Sequence, residues 1–259
     1  MLGRRMLKKR IIPVQLLLGE RLVKTRQFGD WRDVGDPVKS AAVYNSNNAD
    51  ELIFLNIARE QRTIEDLLEV IERVSEVSFM PIAMGGGISR AADAGDLIRS
   101  GADKVVINSA AYADRSPVAQ TAGRFGSQAV VVSIDARWDS ASNTFRLFSD
   151  CGRRLESVSL TDHVRRCTQD GAGEIMIQSI DNDGMMGGFD IELTRQVKDI
   201  AQVPVIAAGG SGSYDHLCDV FLKTDVSAVA CGSLFNFSDS NPIRAKAFLS
   251  NHGLRFKAV

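Results

Sequence analysis

Eight short apolar runs rich in β-branched residues recur along the chain: IIPVQLL (11–17), LIFLNI (52–57), MPIAMG (80–85), VVINS (105–109), AVVVSID (129–135), EIMIQSI (174–180), VPVIAAG (203–209) and SAVACGS (227–233). They are continuous rather than alternating, which predicts strands covered on both faces, as in a parallel sheet. Between most of them lie apolar residues at helical spacing. Asp36-Pro37 predicts an N-cap with proline at the first helical position. Thr63 with Asp66 predicts a capping box ahead of Leu67, Leu68 and Ile71. Ser89 predicts the cap of a helix ending before Gly101. Further helices are expected over 115–124, 159–170, 190–200, 213–222 and 242–251. Eight strand-then-helix units in about 250 residues predict an α/β fold, the (β/α)8 barrel. An open doubly wound sheet is the alternative.

The two halves echo each other. MGGGIS (84–89) and AGGSGS (208–213) each close a strand and open a helix, and ADKVVINSA and VSAVACGSL follow at similar offsets. The repeat predicts one barrel domain over 1–259, made of half-barrels at about 1–125 and 126–259. Leu16 then lies near the place in the first half that Asp135 occupies in the second.

A chain of 259 residues is long enough to bury a full core. Its 31 basic and 32 acidic residues nearly cancel, so composition predicts neither a nucleic-acid nor an acidic-membrane partner. Cys151, Cys167, Cys218 and Cys231 form no CxxC and have no histidine at metal-ligand spacing, which points to reduced thiols in a cytoplasmic protein. The start, MLGRRMLKKRIIPVQLLLGE, sets basic residues before an apolar run. That run is short, holds Pro13 and Gln15 and lacks a small-residue cleavage site, so neither a signal peptide nor a membrane span is expected.

Gly85-Gly86-Gly87 and Gly209-Gly210 each sit at a strand's C-terminal end before a helix. Glycine lets the backbone approach an anion, and free N–H groups at a helix start favour negative charge. Asn108-Ser109 and Gly232-Ser233 add amides and hydroxyls beside each turn. Two such cradles on opposite sides of a barrel mouth fit a small molecule with a phosphate at each end. DNDG (181–184) resembles the start of a calcium loop but lacks the later ligands, and no metal is expected. His163 and His216 fall in predicted helices and His252 directly follows one; the three form no triad and are expected on the surface.

KRIIPVQ, GDPVKSAAVYN, DELIFLNI, GGGIS, GADKVVINSAA, FGSQAVVVSIDA, GAGEIMIQSIDNDG and PVIAAGGSG together resemble the cyclase subunit of imidazole glycerol phosphate synthase, the HisF family, over nearly the whole chain. The resemblance implies a (β/α)8 barrel without cofactor, paired at its N-terminal face with a glutaminase. Ammonia from that partner would cross the barrel and react with a phosphoribulosyl aminoimidazole carboxamide ribonucleotide, giving imidazole glycerol phosphate and a purine precursor. The family's two acid/base aspartates end the first and fifth strands. Asp135 matches the second, whereas the first falls on Leu16, because the usual Asp, Lys and Asp before Gly-Arg are replaced by LLLGER. Neither leucine nor nearby Gln15 can do a carboxylate's acid–base work. Asn56 replaces an aspartate at the second strand's end, and Gln178 stands where threonine is common. Asp183 and Gly184 match residues near a phosphate and substrate hydroxyls, and Lys24 matches a loop lysine. Trp31, Arg32 and Arg26 share that loop (23–37) and are placed to close over the mouth.

Arg10, Glu51, Lys104 and Glu174 directly precede strand runs, which places two cations and two anions together on the N-terminal face. The resemblance assigns them to the gate where ammonia enters, with Asp103 facing the glutaminase. An intact gate beside a broken acid/base pair resembles a divergent branch of the family from surface-polysaccharide gene clusters. There the barrel passes ammonia towards a separate amidotransferase that amidinates an N-acetyl sugar for lipopolysaccharide O-antigen. That is the first expectation for this chain; the histidine-pathway cyclase, with Asp135 as surviving acid/base, is the alternative.

Overall fold

The computed structural model describes residues 8–60 and 62–257. Residues 1–7, the first part of the segment for which no signal peptide is expected, lie outside the described residues. The chain runs through β1 (Arg10–Leu18), β2 (Arg21–Thr25), β3 (Trp31–Gly35), α1 (Pro37–Ser46), β4 (Leu52–Asn56), α2 (Glu65–Ser75), β5 (Ile82–Gly85), α3 (Ala91–Arg99) and β6 (Lys104–Ile107). It continues through α4 (Ser109–Ala113), α5 (Ser116–Phe125), β7 (Val130–Asp139), β8 (Thr144–Ser149), β9 (Arg154–Leu155), α6 (Leu160–Gln169), β10 (Glu174–Ser179) and α7 (Ile191–Ile200). Last come β11 (Val205–Ala208), α8 (Tyr214–Thr224), β12 (Ala228–Cys231), α9 (Ser233–Asn236) and α10 (Pro242–Asn251).

Parallel pairing runs β1–β4–β5–β6–β7–β10–β11–β12 and returns from β12 to β1, a closed eight-stranded barrel with helices between strands. Closure excludes the open doubly wound sheet. Side chains alternate across each strand. The inward set builds a lumen with Ile12, Ile53, Val106, Val131, Met176 and Ile206 at its centre. The outward set, including Ile11, Leu17, Phe54 and Val132, packs under the helices in a second, larger core. Fully burying such a side chain contributes about 1.5–3 kcal/mol. Burial on both faces is why the strand runs read as continuously apolar.

Helix starts follow local chemistry. Asp36 caps α1 through the Lys39 N–H, with Pro37 at N1. Ser159, Asp190, Ser213 and Asn241 cap α6, α7, α8 and α10 in the same way. Two expected caps differ. Thr63 does not cap α2, which begins at Glu65; Asp66 instead accepts a hydrogen bond from the Asn56 amide. Ser89 lies one residue outside the α3 cap position, where its hydroxyl donates to Asp93 while Asp93 also takes the Arg90 N–H. The segment 23–37, expected as a loop, contributes to the antiparallel hairpin of β2 and β3. β7 runs four residues past Asp135 because Ala136–Asp139 pair with β8, a ribbon absent from the predicted elements. Among the described residues no helix is long and apolar enough to cross a membrane.

Candidate active site

The alternation that builds the lumen also sets its two ends. On β1 the inward positions are Arg10, Ile12, Val14 and Leu16; β10 offers Glu174, Met176 and Gln178, and β7 Val131, Ser133 and Asp135. Each inward row runs from the barrel's N-terminal face, through apolar residues, to its C-terminal mouth. The mouth is a cavity of about 1130 Å³ lined by Leu16, Leu18, Leu55, Asn56, Asn108, Ser133, Asp135 and Gln178, among others.

Asp135 is buried in this cavity. Burial pushes its carboxyl up to about 7, further helped by the negative Asp183 and opposed by hydrogen bonds from Asn108 and Ser133 and the charge of Arg62. The Asn108 amide donates to Asp135 Oδ2 at 2.8 Å. The side chain is therefore poised to hold and release a proton near neutrality. Leu16 lines the same cavity from β1 and supplies no ionisable group. Gln15 faces the opposite way, into the layer under α1, where it bonds to Tyr44 and Ser40. Asn56 at the end of β4 is buried and tied to the Ala58 N–H, the Thr63 carbonyl and Asp66.

Both glycine turns open on the mouth. Gly87 has φ +86°, and a Cβ there would stand 2.6 Å from the Thr63 carbonyl oxygen; Gly210 has φ +107°, and a Cβ would collide with the Gly188 carbonyl oxygen. The structure brings Gly86, Gly87, Asn108 and Ser109 to one side of the cavity and Gly209, Gly210, Gly232 and Ser233 to another. Asn108 Oδ1 and Ser233 Oγ are buried without partners among the described residues, so each can serve a ligand. Lys24 reaches in over Gly232, and its ammonium donates to Asp183 Oδ1 at 2.8 Å. Thr25 and Gln178 also donate to Asp183, so Lys24 and Asp183 form a sealed ion pair at the mouth beside Gly184. Asp181 turns away to the Trp138 N–H and Arg137. Trp31 lines the mouth and is 54% exposed, while Arg26 and Arg32 point to solvent outside the lining.

At the other end of the lumen the four predicted gate residues meet. Arg10 bonds to both Glu51 and Glu174, and Lys104 reaches Glu51 at 2.8 Å and Glu174 at 2.5 Å. Burial alone would raise the Glu174 carboxyl, but its bonds to Arg10 and Lys104 outweigh that and hold it low. The result is a closed, neutral ring across the N-terminal end. Asp103 beside it is exposed, and its carboxylate takes the Ile82 N–H.

His163, expected on the surface, is fully buried. It lies on the inner face of α6, stacked on Tyr112 with ring centroids 3.9 Å apart, and burial beside Arg166 pushes its imidazole down to about 3, so it stays neutral. His216 is half-buried and His252 exposed. The four cysteines are free. Two mouth residues, Arg62 and Cys151, were not among the sequence-predicted set. Arg62 sits just after β4 at a strand's C-terminal end, a signal that was available; Cys151 sits on the unpredicted β8–β9 ribbon.

The family profile described as "Histidine biosynthesis protein" matches residues 10–241. The imidazole glycerol phosphate synthase subunit HisF of Staphylococcus carnosus is 39% identical over 249 residues, covering 96% of this chain and 98% of that protein. The subunit of the same name from Halalkalibacterium halodurans is 39% identical over 249 residues, with 96% and 99% covered. That from Geobacillus thermodenitrificans is 38% identical over 252 residues, with 97% and 100% covered.

Proposed function

The chain belongs to the histidine biosynthesis protein family, among the HisF subunits, and from that premise we propose that it is the ammonia-receiving barrel of a glutaminase-coupled complex. The observation that carries the reading is the ring of Arg10, Glu51, Lys104 and Glu174, which closes one end of an apolar lumen whose other end opens on the mouth. A glutaminase seated on the N-terminal face releases ammonia against the ring. Displacing one cation, such as Lys104, opens a path past Ile12, Ile53 and Met176. The apolar wall admits neutral ammonia and rejects ammonium, whose desolvation is costly. This matters because ammonia released to bulk water at neutral pH is mostly protonated and no longer nucleophilic. In the mouth, the two glycine cradles hold a ligand's phosphates, and Asp135 exchanges a proton with the reacting centre.

The relatives' names favour the imidazole glycerol phosphate synthase reaction over the sugar reading taken first from the sequence. In that reaction ammonia and phosphoribulosyl aminoimidazole carboxamide ribonucleotide give imidazole glycerol phosphate and aminoimidazole carboxamide ribonucleotide. One observation favours the second reading: Leu16 lines the mouth where an acid/base partner for Asp135 is required. Under that reading the barrel hands ammonia on to a separate amidotransferase acting on an N-acetyl sugar. Complementation of a bacterium lacking its cyclase subunit separates the two. Growth with the unaltered chain assigns the cyclase reaction; no growth with it is what the delivery reading expects, and rescue by Leu16→Asp then shows that the strand-1 acid is what the cyclase reaction lacks.

A further inference from the structure

We propose that Arg62 is the cation of the first anion cradle, held by Asp150 as an internal counter-ion until an anionic group of the ligand replaces it. The inference rests on the reading of Gly86, Gly87, Asn108 and Ser109 as a phosphate site. Three contacts place Arg62 there. Its neighbour Thr63 lies against Gly87 so closely that a Cβ on that glycine would stand 2.6 Å from the Thr63 carbonyl oxygen. Asp150 donates its backbone N–H to Ser109 Oγ at 3.1 Å, which brings its carboxylate beside the cradle. Arg62 Nη2 then donates to Asp150 Oδ1 at 3.0 Å, and Nη1 lies 2.7 Å from Cys151 Sγ.

The two cradles differ in how their cation is held. At the second, Lys24 and Asp183 are both sealed, at 6% and 7% side-chain exposure, and Asp183 has further donors. At the first, the Asp150 side chain is 36% exposed, while Arg62 is 18% exposed and lines the cavity. Asp150 sits at a turn between β8 and β9, with Asp150 and Cys151 both in the left-handed region at φ +51° and +53°. A second cation, Arg153, grips the other carboxylate oxygen at 2.7 Å from the outer side. Asp150 can therefore swing to water and Arg153 without leaving a buried charge unpaired. Arg62 stays behind lining the cavity on which the cradle opens, with a planar fork suited to bidentate contact with a phosphate.

The test is calorimetric titration of the full chain with inorganic phosphate. Arg62→Gln should weaken binding about tenfold or more, the loss of a charge-assisted contact. Asp150→Asn should tighten it by about threefold, because the internal competitor is gone. Asparagine tolerates the left-handed backbone and keeps the N–H donated to Ser109. A gain of affinity cannot come from a damaged fold, so the second variant protects the first against that explanation. Phosphate at the second cradle would appear as a component that neither variant moves. If the unaltered chain binds phosphate and Arg62→Gln leaves every component unchanged, or Asp150→Asn weakens binding, Arg62 is not the cradle's cation although the cradles stand. If the unaltered chain takes up no phosphate, the cradle reading and this inference fall together.

Discussion

The two ends of the lumen use the same inward-facing strand positions and treat charge in opposite ways. At the N-terminal end, each carboxylate of Glu51 and Glu174 is bonded to both Arg10 and Lys104, so the charges cancel and the ring is closed. At the mouth, Asp135 is bonded to an amide rather than a cation, and its carboxyl is pushed up to about 7 by burial. Leu16, on the facing strand, contributes only apolar surface. Under the proposed function, the cancelled charge is a door that a partner disturbs and the uncancelled one exchanges a proton. The same alternation places both, so what distinguishes them is which residues the strands carry, not how they are arranged.

The comparison can be broken from either side. The largest effect belongs to the mouth. Under the delivery reading Leu16 leaves the mouth without a strand-1 acid, so Leu16→Asp should raise turnover of phosphoribulosyl aminoimidazole carboxamide ribonucleotide, with ammonium salt as nitrogen source, by about 10²–10⁴-fold. Spectroscopic assay of product release reads it, and an unchanged rate removes the claim that a strand-1 acid is what the mouth lacks. At the entrance, Glu174→Ala leaves Arg10 and Lys104 short of an anion and should cost about 3 kcal/mol, read by urea denaturation; a neutral result would mean water replaces the carboxylate and the ring is not a tight closure.

A smaller effect distinguishes the ends by pH. Between an ordinary aspartate's value near 4 and about 7, the native chain keeps a proton on Asp135 that the unfolded chain has lost. Stability therefore falls as pH rises through that window and levels off above it. Asp135→Asn should remove this slope and stabilise the fold by about 4 kcal/mol at pH 8 with little change at pH 4. Equal effects at both pH values would show that Asp135 ionises normally. The smallest effect is a control away from both ends: Asp36→Ala removes the α1 cap and should lower stability by about 1 kcal/mol, without altering phosphate binding.

The barrel was legible because all eight strands are buried on both faces, which turns topology into a countable pattern of apolar runs. The meeting of the four ring residues was legible for a related reason: the first inward position of a barrel strand follows directly from where its run begins. Leu16 and Asp135 were likewise placed by their runs. What was not legible depends on contacts remote in sequence. Lys24 and Asp183 lie far apart along the chain, and nothing local announces their ion pair. The β8 ribbon was missed because its alternation of Phe145, Leu147 and Ser149 is short and blurred by Phe148 at an alternate position, and with it went Asp150 and Cys151. His163 was misplaced because a helical pattern shows the spacing of faces but not which of them a polar ring will occupy. Thr63 had the spacing of a cap, but the Asn56 amide engaged Asp66 first.

The central claim is that nitrogen entering at the ring reaches the mouth without mixing with solvent. It is tested most directly by assembling the chain with a HisH glutaminase and supplying amide-labelled 15N-glutamine in a bath of unlabelled ammonium, with the acceptor that complementation identifies. The account predicts a product carrying mostly 15N, and a product that takes the isotope of the bath when Lys104→Ala opens the ring. A product from the unaltered complex that carries the bath's nitrogen would contradict it.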